Sequence, residues 1–154
     1  MSRKFVCSET EPIVTTPKGK IRGFIQDGIY TFHGIKYANA QRWHMPEEVE
    51  AWDGVKDALN YGFTCPTNGN PAPTSEIYIT HRFWPENEHC QYLNLWTKSI
   101  DSSAKKPVVV WLHGGGYANG SSIEQAAYEG DQLAEHGDVV VVTLNHRLNI
   151  LGCL

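Results

Sequence analysis

Two runs, Val108-Val109-Val110-Trp111-Leu112 and Val139-Val140-Val141-Val142-Thr143-Leu144, are apolar almost without interruption. A strand with one wet face alternates apolar and polar side chains, so runs that fail to alternate suit strands buried on both faces of a parallel sheet. Between them lie Ser122-Ile123-Glu124-Gln125, a capping-box pattern, and Asp131-Gln132-Leu133-Ala134-Glu135-His136-Gly137, a short helix closed by glycine. Strand, helix, strand is a βαβ unit, which predicts an α/β fold with a mainly parallel central sheet. Neither run approaches the ~20 apolar residues of a membrane span, so no membrane insertion is expected.

The N-terminal half carries a different pattern. Residues 1–11 are polar and aperiodic and are predicted to be an irregular lead-in. Ile13–Thr16, Lys20–Ile25 and Ile29–Phe32 are β-branched and aromatic runs separated by Pro17-Lys18-Gly19 and Gln26-Asp27-Gly28. Asp-Gly between apolar strands is a hairpin signal, because a type I′ turn needs positive φ at both central residues. An antiparallel ribbon is predicted. From Gly34 to about Pro85, Gly, Pro and Asn accumulate around Trp43, Trp52, Tyr61, Phe63 and Trp84, which reads as loops anchored by aromatics. Gln91-Tyr92-Leu93-Asn94-Leu95-Trp96 then alternates as a half-buried strand should.

At 154 residues, 41% hydrophobic and 19% charged, the chain has the size and composition of one globular domain. Its net charge is -4 and no basic run occurs, which excludes the electrostatic footprint of a nucleic-acid binder. Met1-Ser2-Arg3-Lys4-Phe5-Val6-Cys7-Ser8-Glu9 has the basic start of a secretory signal without the apolar segment that follows one, so a cytoplasmic location is expected. Cys7, Cys65, Cys90 and Cys153 include no Cys-x-x-Cys pair, and no metal site is expected.

His113-Gly114-Gly115-Gly116-Tyr117 follows directly on an apolar strand. Consecutive glycines adopt backbone angles closed to other residues and clear space for a substrate to lie against main-chain N–H groups. Two such donors aimed at one point stabilise the oxyanion formed when an ester carbonyl is attacked, each being worth about 3 kcal/mol of barrier. A strand ending in His-Gly-Gly-Gly is a known lipase and esterase arrangement, so the glycine triplet is a candidate oxyanion hole.

The chain resembles the N-terminal portion of a type-B carboxylesterase, the α/β-hydrolase family of cholinesterases and para-nitrobenzyl esterases. The residues that carry the likeness are Thr15–Gly23, Phe32–Ala38, Glu88–Trp96, Pro107–Gly116 and Gly137–Leu148. The resemblance implies a single, incomplete α/β-hydrolase domain over 1–154, acting on a small-molecule carboxylic ester without a cofactor. It implies Gly115 and Gly116 as oxyanion donors, with Gly114 and Tyr117 lining the substrate pocket. Cys65 and Cys90 match cysteines that bridge in secreted members, whereas a cytoplasmic copy would keep both thiols reduced. Arg42 and Glu88 fall where the family has a structural ion pair. The chain departs from the family at Lys36, where proline is usual, at His89, where aspartate is usual, and at His146, where tyrosine is usual.

The family's nucleophile sits in a Gly-x-Ser-x-Gly elbow, which does not occur in these 154 residues. An oxyanion hole without a nucleophile cannot form an acyl-enzyme, so the chain alone is predicted inactive and a complementary C-terminal segment is the expected partner. Two alternatives stand beside this reading: a non-catalytic binding or assembly module, and a small hydrolase using Ser121 or Ser122.

Overall fold

A computed structural model describes residues 4–67 and 80–152. Cys153 and the first three residues of the expected lead-in lie outside that range. Among the described residues the strands are β1 (Phe5–Val6), β2 (Ile13–Thr16), β3 (Gly19–Arg22), β4 (Phe24–Gln26), β5 (Ile29–Lys36), β6 (Val55–Asp57), β7 (Tyr92–Thr97), β8 (Val108–Leu112) and β9 (Val140–Leu144). Helix α1 (Asp131–Gly137) precedes β9 and α2 (Asn149–Gly152) follows it. A six-stranded sheet runs β1-β4-β5-β7-β9-β8, and β2-β3-β6 form a small second sheet. Only β8 and β9 run parallel in the large sheet, joined by the crossover that contains α1.

The β4–β5 hairpin turns on Asp27 and Gly28 at φ 51° and 89°, the positive angles that the Asp-Gly pair predicts. Two details of the N-terminal reading change. Lys20–Ile25 is not one strand: the chain breaks at Gly23, leaving β3 in the small sheet and β4 in the large one. The lead-in is not wholly irregular either, because Phe5 and Val6 pair with Gln26 and Ile25.

Helix α1 lies against the large sheet, where fully buried Ala134 lets it approach Ile29, Trp96 and Val141 closely. It is terminated by Asp138 at φ 50°, so the left-handed residue comes one position after the expected glycine. A second core cluster joins Ile21 of the small sheet to Phe32 and Ala58. A third holds Cys65, Cys90 and Leu148.

Among the described residues strand β8 is the sheet's outer strand and its five residues are 38–64% exposed, the apolar edge expected of this run where the family's neighbouring strand lies outside these 154 residues. Two expectations are overturned. Strand β7 does not turn its polar member to solvent: Asn94 is buried, while the apolar Leu93 and Leu95 of the opposite face are the half-buried residues. Ser122–Gln125 does not start an α-helix. The Ser122 N–H donates to Asn145 Oδ1 at 2.8 Å, and a single 3-10 turn, Ala126–Tyr128, follows.

Candidate active site

The glycine segment leaves the end of β8 as a turn of left-handed residues: Gly115, Gly116 and Tyr117 have φ 123°, 61° and 61°. The amides of Ala118 and Asn119 both donate to the Gly115 carbonyl at 3.1 Å, closing the turn. A Cβ at Gly115 would lie 2.0 Å from Asn119 O, so this position admits glycine alone. At Gly114 and Gly116 a Cβ would meet open space. Among the described residues no hydrogen bond takes up the N–H of Gly114, Gly115 or Gly116. Three donors therefore stand unclaimed at the C-terminal end of a parallel strand, the end at which open α/β sheets bind ligands. Tyr117 is exposed at the rim of a cleft of about 820 Å³, whose wall also includes Tyr37, Trp43, His146 and Ile150.

A buried polar network that sequence reasoning missed holds this loop in place. Asn94 accepts from the Gly34 N–H at 3.0 Å and donates to Ser122 Oγ and Thr143 Oγ1 at 3.3 and 3.2 Å. Asn145 accepts from the Ser122 N–H and donates to Phe63 O at 3.1 Å. Tyr37 donates its hydroxyl to Asn145 O at 2.8 Å, and burial pushes its pKa up to about 12. The α2 amide of Asn149 donates to Tyr117 O at 2.7 Å, pinning the turn from the other side. The sequence signal was present: Asn94 and Thr143 are facing partners of adjacent strands, a polar pair at positions flanked by apolar residues.

Arg42 and Glu88 form the expected ion pair, bidentate at 2.8 and 3.1 Å, and the hydrogen bonding draws the Glu88 carboxyl below its ordinary range. Beside it lies a second guanidinium the sequence did not flag. Arg147 is 9% exposed and donates to the carbonyls of Glu88, Gln41 and Ala40 at 2.8, 2.7 and 2.6 Å. Cys65 and Cys90 are unbridged, buried thiols. The Leu148 N–H donates to Cys65 Sγ at 3.1 Å. Hydrogen bonding between the two thiols lowers the pKa of Cys65 and raises that of Cys90.

Neither serine alternative gains a partner. Ser121 and Ser122 are buried, Ser122 Oγ is engaged by Asn94, and among the described residues no histidine bonds either hydroxyl. His81 is committed to Glu124 at 2.7 Å. Among the described residues no three His, Cys, Asp or Glu side chains are grouped to hold a metal ion, and no helix is long and apolar enough to cross a membrane.

Residues 10–154 match the model of the carboxylesterase family. The chain belongs to that family. Phenmedipham hydrolase of Pseudarthrobacter oxydans is 40% identical over 149 residues, covering 94% of this chain and 30% of its own length. Para-nitrobenzyl esterase of Bacillus subtilis is 37% identical over 150 residues, covering 94% and 29%. Among solved structures, an esterase from Clostridium hathewayi described as hydrolysing aliphatic aromatic polyesters superposes with a TM-score of 0.94 at 52% identity, covering 99% of this chain and 30% of that one. The chain thus spans about three tenths of the length of these carboxylesterases, and its mixed sheet is a partial α/β-hydrolase fold.

Proposed function

We propose that this chain is the oxyanion-binding N-terminal portion of a serine-type carboxylic-ester hydrolase. Gly115 and Gly116 donate their amides to the developing oxyanion, while Gly114 and Tyr117 line the pocket. The nucleophile, acid and base come from a complementary C-terminal segment that pairs along β8, and the 154 residues alone turn over no ester. The observation that carries this reading is the run of unclaimed amides in a turn of positive φ at the end of β8. Relatives named for para-nitrobenzyl esters and for aliphatic aromatic polyesters support a carboxylic ester carrying an aromatic group as substrate. The aromatic cleft beside Tyr117 agrees with that class.

The test joins this chain to the segment that follows the matched region in the Clostridium hathewayi esterase and follows para-nitrophenyl butyrate hydrolysis. The joined protein should turn over and the chain alone should not. Gly116→Ala adds a Cβ where space is open but drives φ away from 61°, and should lower kcat about 100-fold by misdirecting one donor. Turnover by the joined protein that is indifferent to Gly116→Ala would overturn the assignment. The exposed apolar edge of β8 favours one second reading, a non-catalytic assembly module. A stable joined protein without any ester turnover would support it.

A further inference from the structure

His113 and His146 meet directly behind the glycine turn, with ring centroids 5.0 Å apart and planes inclined at 40°. His113 Nδ1 lies 2.8 Å from the Gly114 carbonyl oxygen, which only accepts, so the ring carries its proton on Nδ1. A peptide unit is planar and trans, so the Gly114 C=O and the Gly115 N–H point in opposite directions within one plane. Pinning the carbonyl therefore aims the amide. The contact is enclosed on its far side by Gly120, where a Cβ would fall 2.4 Å from Gly114 O and 2.9 Å from His113 Nδ1.

We propose that His146 is a positioning residue for the Gly115 amide, acting through the His113 ring against which it packs. This rests on the reading of Gly115 as an oxyanion donor. The neutral His146 ring is an apolar wall for His113. Its Nδ1 is buried and without a hydrogen-bond partner among the described residues, so a proton there would be a stranded donor and a charge beside His113. Burial, then the His113 charge, accordingly holds the His146 pKa below the ordinary 6.5. The other titratable or charged groups around the cleft that His146 lines are Tyr37, His44, Glu47 and Glu48 from the early loop, Tyr117 from the turn, and Arg147, whose guanidinium is committed to three carbonyls. Histidine therefore makes the aim of Gly115 sensitive to acid: it is kept above the His146 pKa and lost as pH falls through it.

The test is an NMR titration of the 154-residue chain that follows the Gly115 amide and the His146 Hε1 resonance together. Both should move with a common midpoint below 6.5. That component of the Gly115 shift should vanish in His146→Tyr and in His146→Phe, the second variant guarding against one that fails to fold. In the joined protein, His146→Tyr should move the acid limb of kcat and leave KM unchanged. A Gly115 amide that ignores pH, or one that titrates as before in a folded His146→Tyr, overturns the proposal while ester turnover in the joined protein leaves the esterase reading standing. A Gly115 amide that tracks His146 in a joined protein without turnover supports the coupling and overturns the esterase reading.

Discussion

Arg147 is a charge kept inside a junction of loops because carbonyls on three residues of two other segments replace its water. Removing it strands those acceptors, so Arg147→Met should cost about 3 kcal/mol in urea denaturation, with Arg147→Lys in between because an ammonium cannot span all three. An unchanged urea midpoint in Arg147→Met would mean that water fills the site. His33 is the opposite case, a half-buried histidine with no charge partner among the described residues. It stacks on Tyr61 at 4.1 Å, its Nε2 has no hydrogen-bond partner among the described residues, and burial lowers its pKa from 6.5 to about 4. Because the folded value is the depressed one, the chain is unpenalised above 6.5 and loses stability as pH falls from 6.5 towards about 4. Near pH 5 the loss attributable to this ring is about 2 kcal/mol. His33→Phe keeps the aromatic stack and should shrink the difference in unfolding free energy between neutral and acid conditions by that amount; an undiminished difference would assign the acid sensitivity to another group.

The entry of α1 sets two element-level rules against each other. Gly130 occupies the N-cap without any side-chain cap bond, and capping statistics favour serine there. Yet a Cβ at Gly130 would lie 2.6 Å from Val141 Cγ1 and 2.8 Å from Trp96 Cε3, inside the core that α1 seals. Overpacking wins: Gly130→Ser should lower the thermal midpoint, equivalent to about 2 kcal/mol, and a rise would show that the helix can shift outward. The same contest explains what could be read from the sequence. The Asp27-Gly28 hairpin and α1 were legible because their signals are local angles and short-range periodicity. The capping box misled because Asn145, 23 residues on, accepts from the Ser122 amide in place of the Gln125 side chain that would close the box. The two valine runs look alike, but β9 has neighbours on both sides and β8 has one among the described residues, a difference of topology that composition does not carry. In the candidate site the glycines were legible as a backbone exception. Arg147, Asn94 and Asn145 were not, since what defines them is partners far off in the chain; Arg147 and Ala40 lie 107 positions apart.

At the scale of the whole molecule, β8 is the feature that decides how the chain behaves in solution. Among the described residues nothing pairs with its outer edge along Val108–Leu112, and none of its five side chains is charged to discourage pairing. Two copies meeting β8 to β8 across a twofold axis would extend the sheet and cover both edges at once, the self-complementary contact that closed dimers use. Sedimentation velocity on the chain alone should therefore show association that grows with concentration. Val110→Lys, at the middle of the strand and 53% exposed, places a charge on that edge without touching the buried cores, and should shift the population to monomer. Association that persists in Val110→Lys would move the contact to another surface. The joined protein gives the complementary reading: if a C-terminal segment covers β8, that protein is monomeric without the lysine, whereas an edge still open in it would leave it associating as the 154-residue chain does, and Val110→Lys would again disperse it.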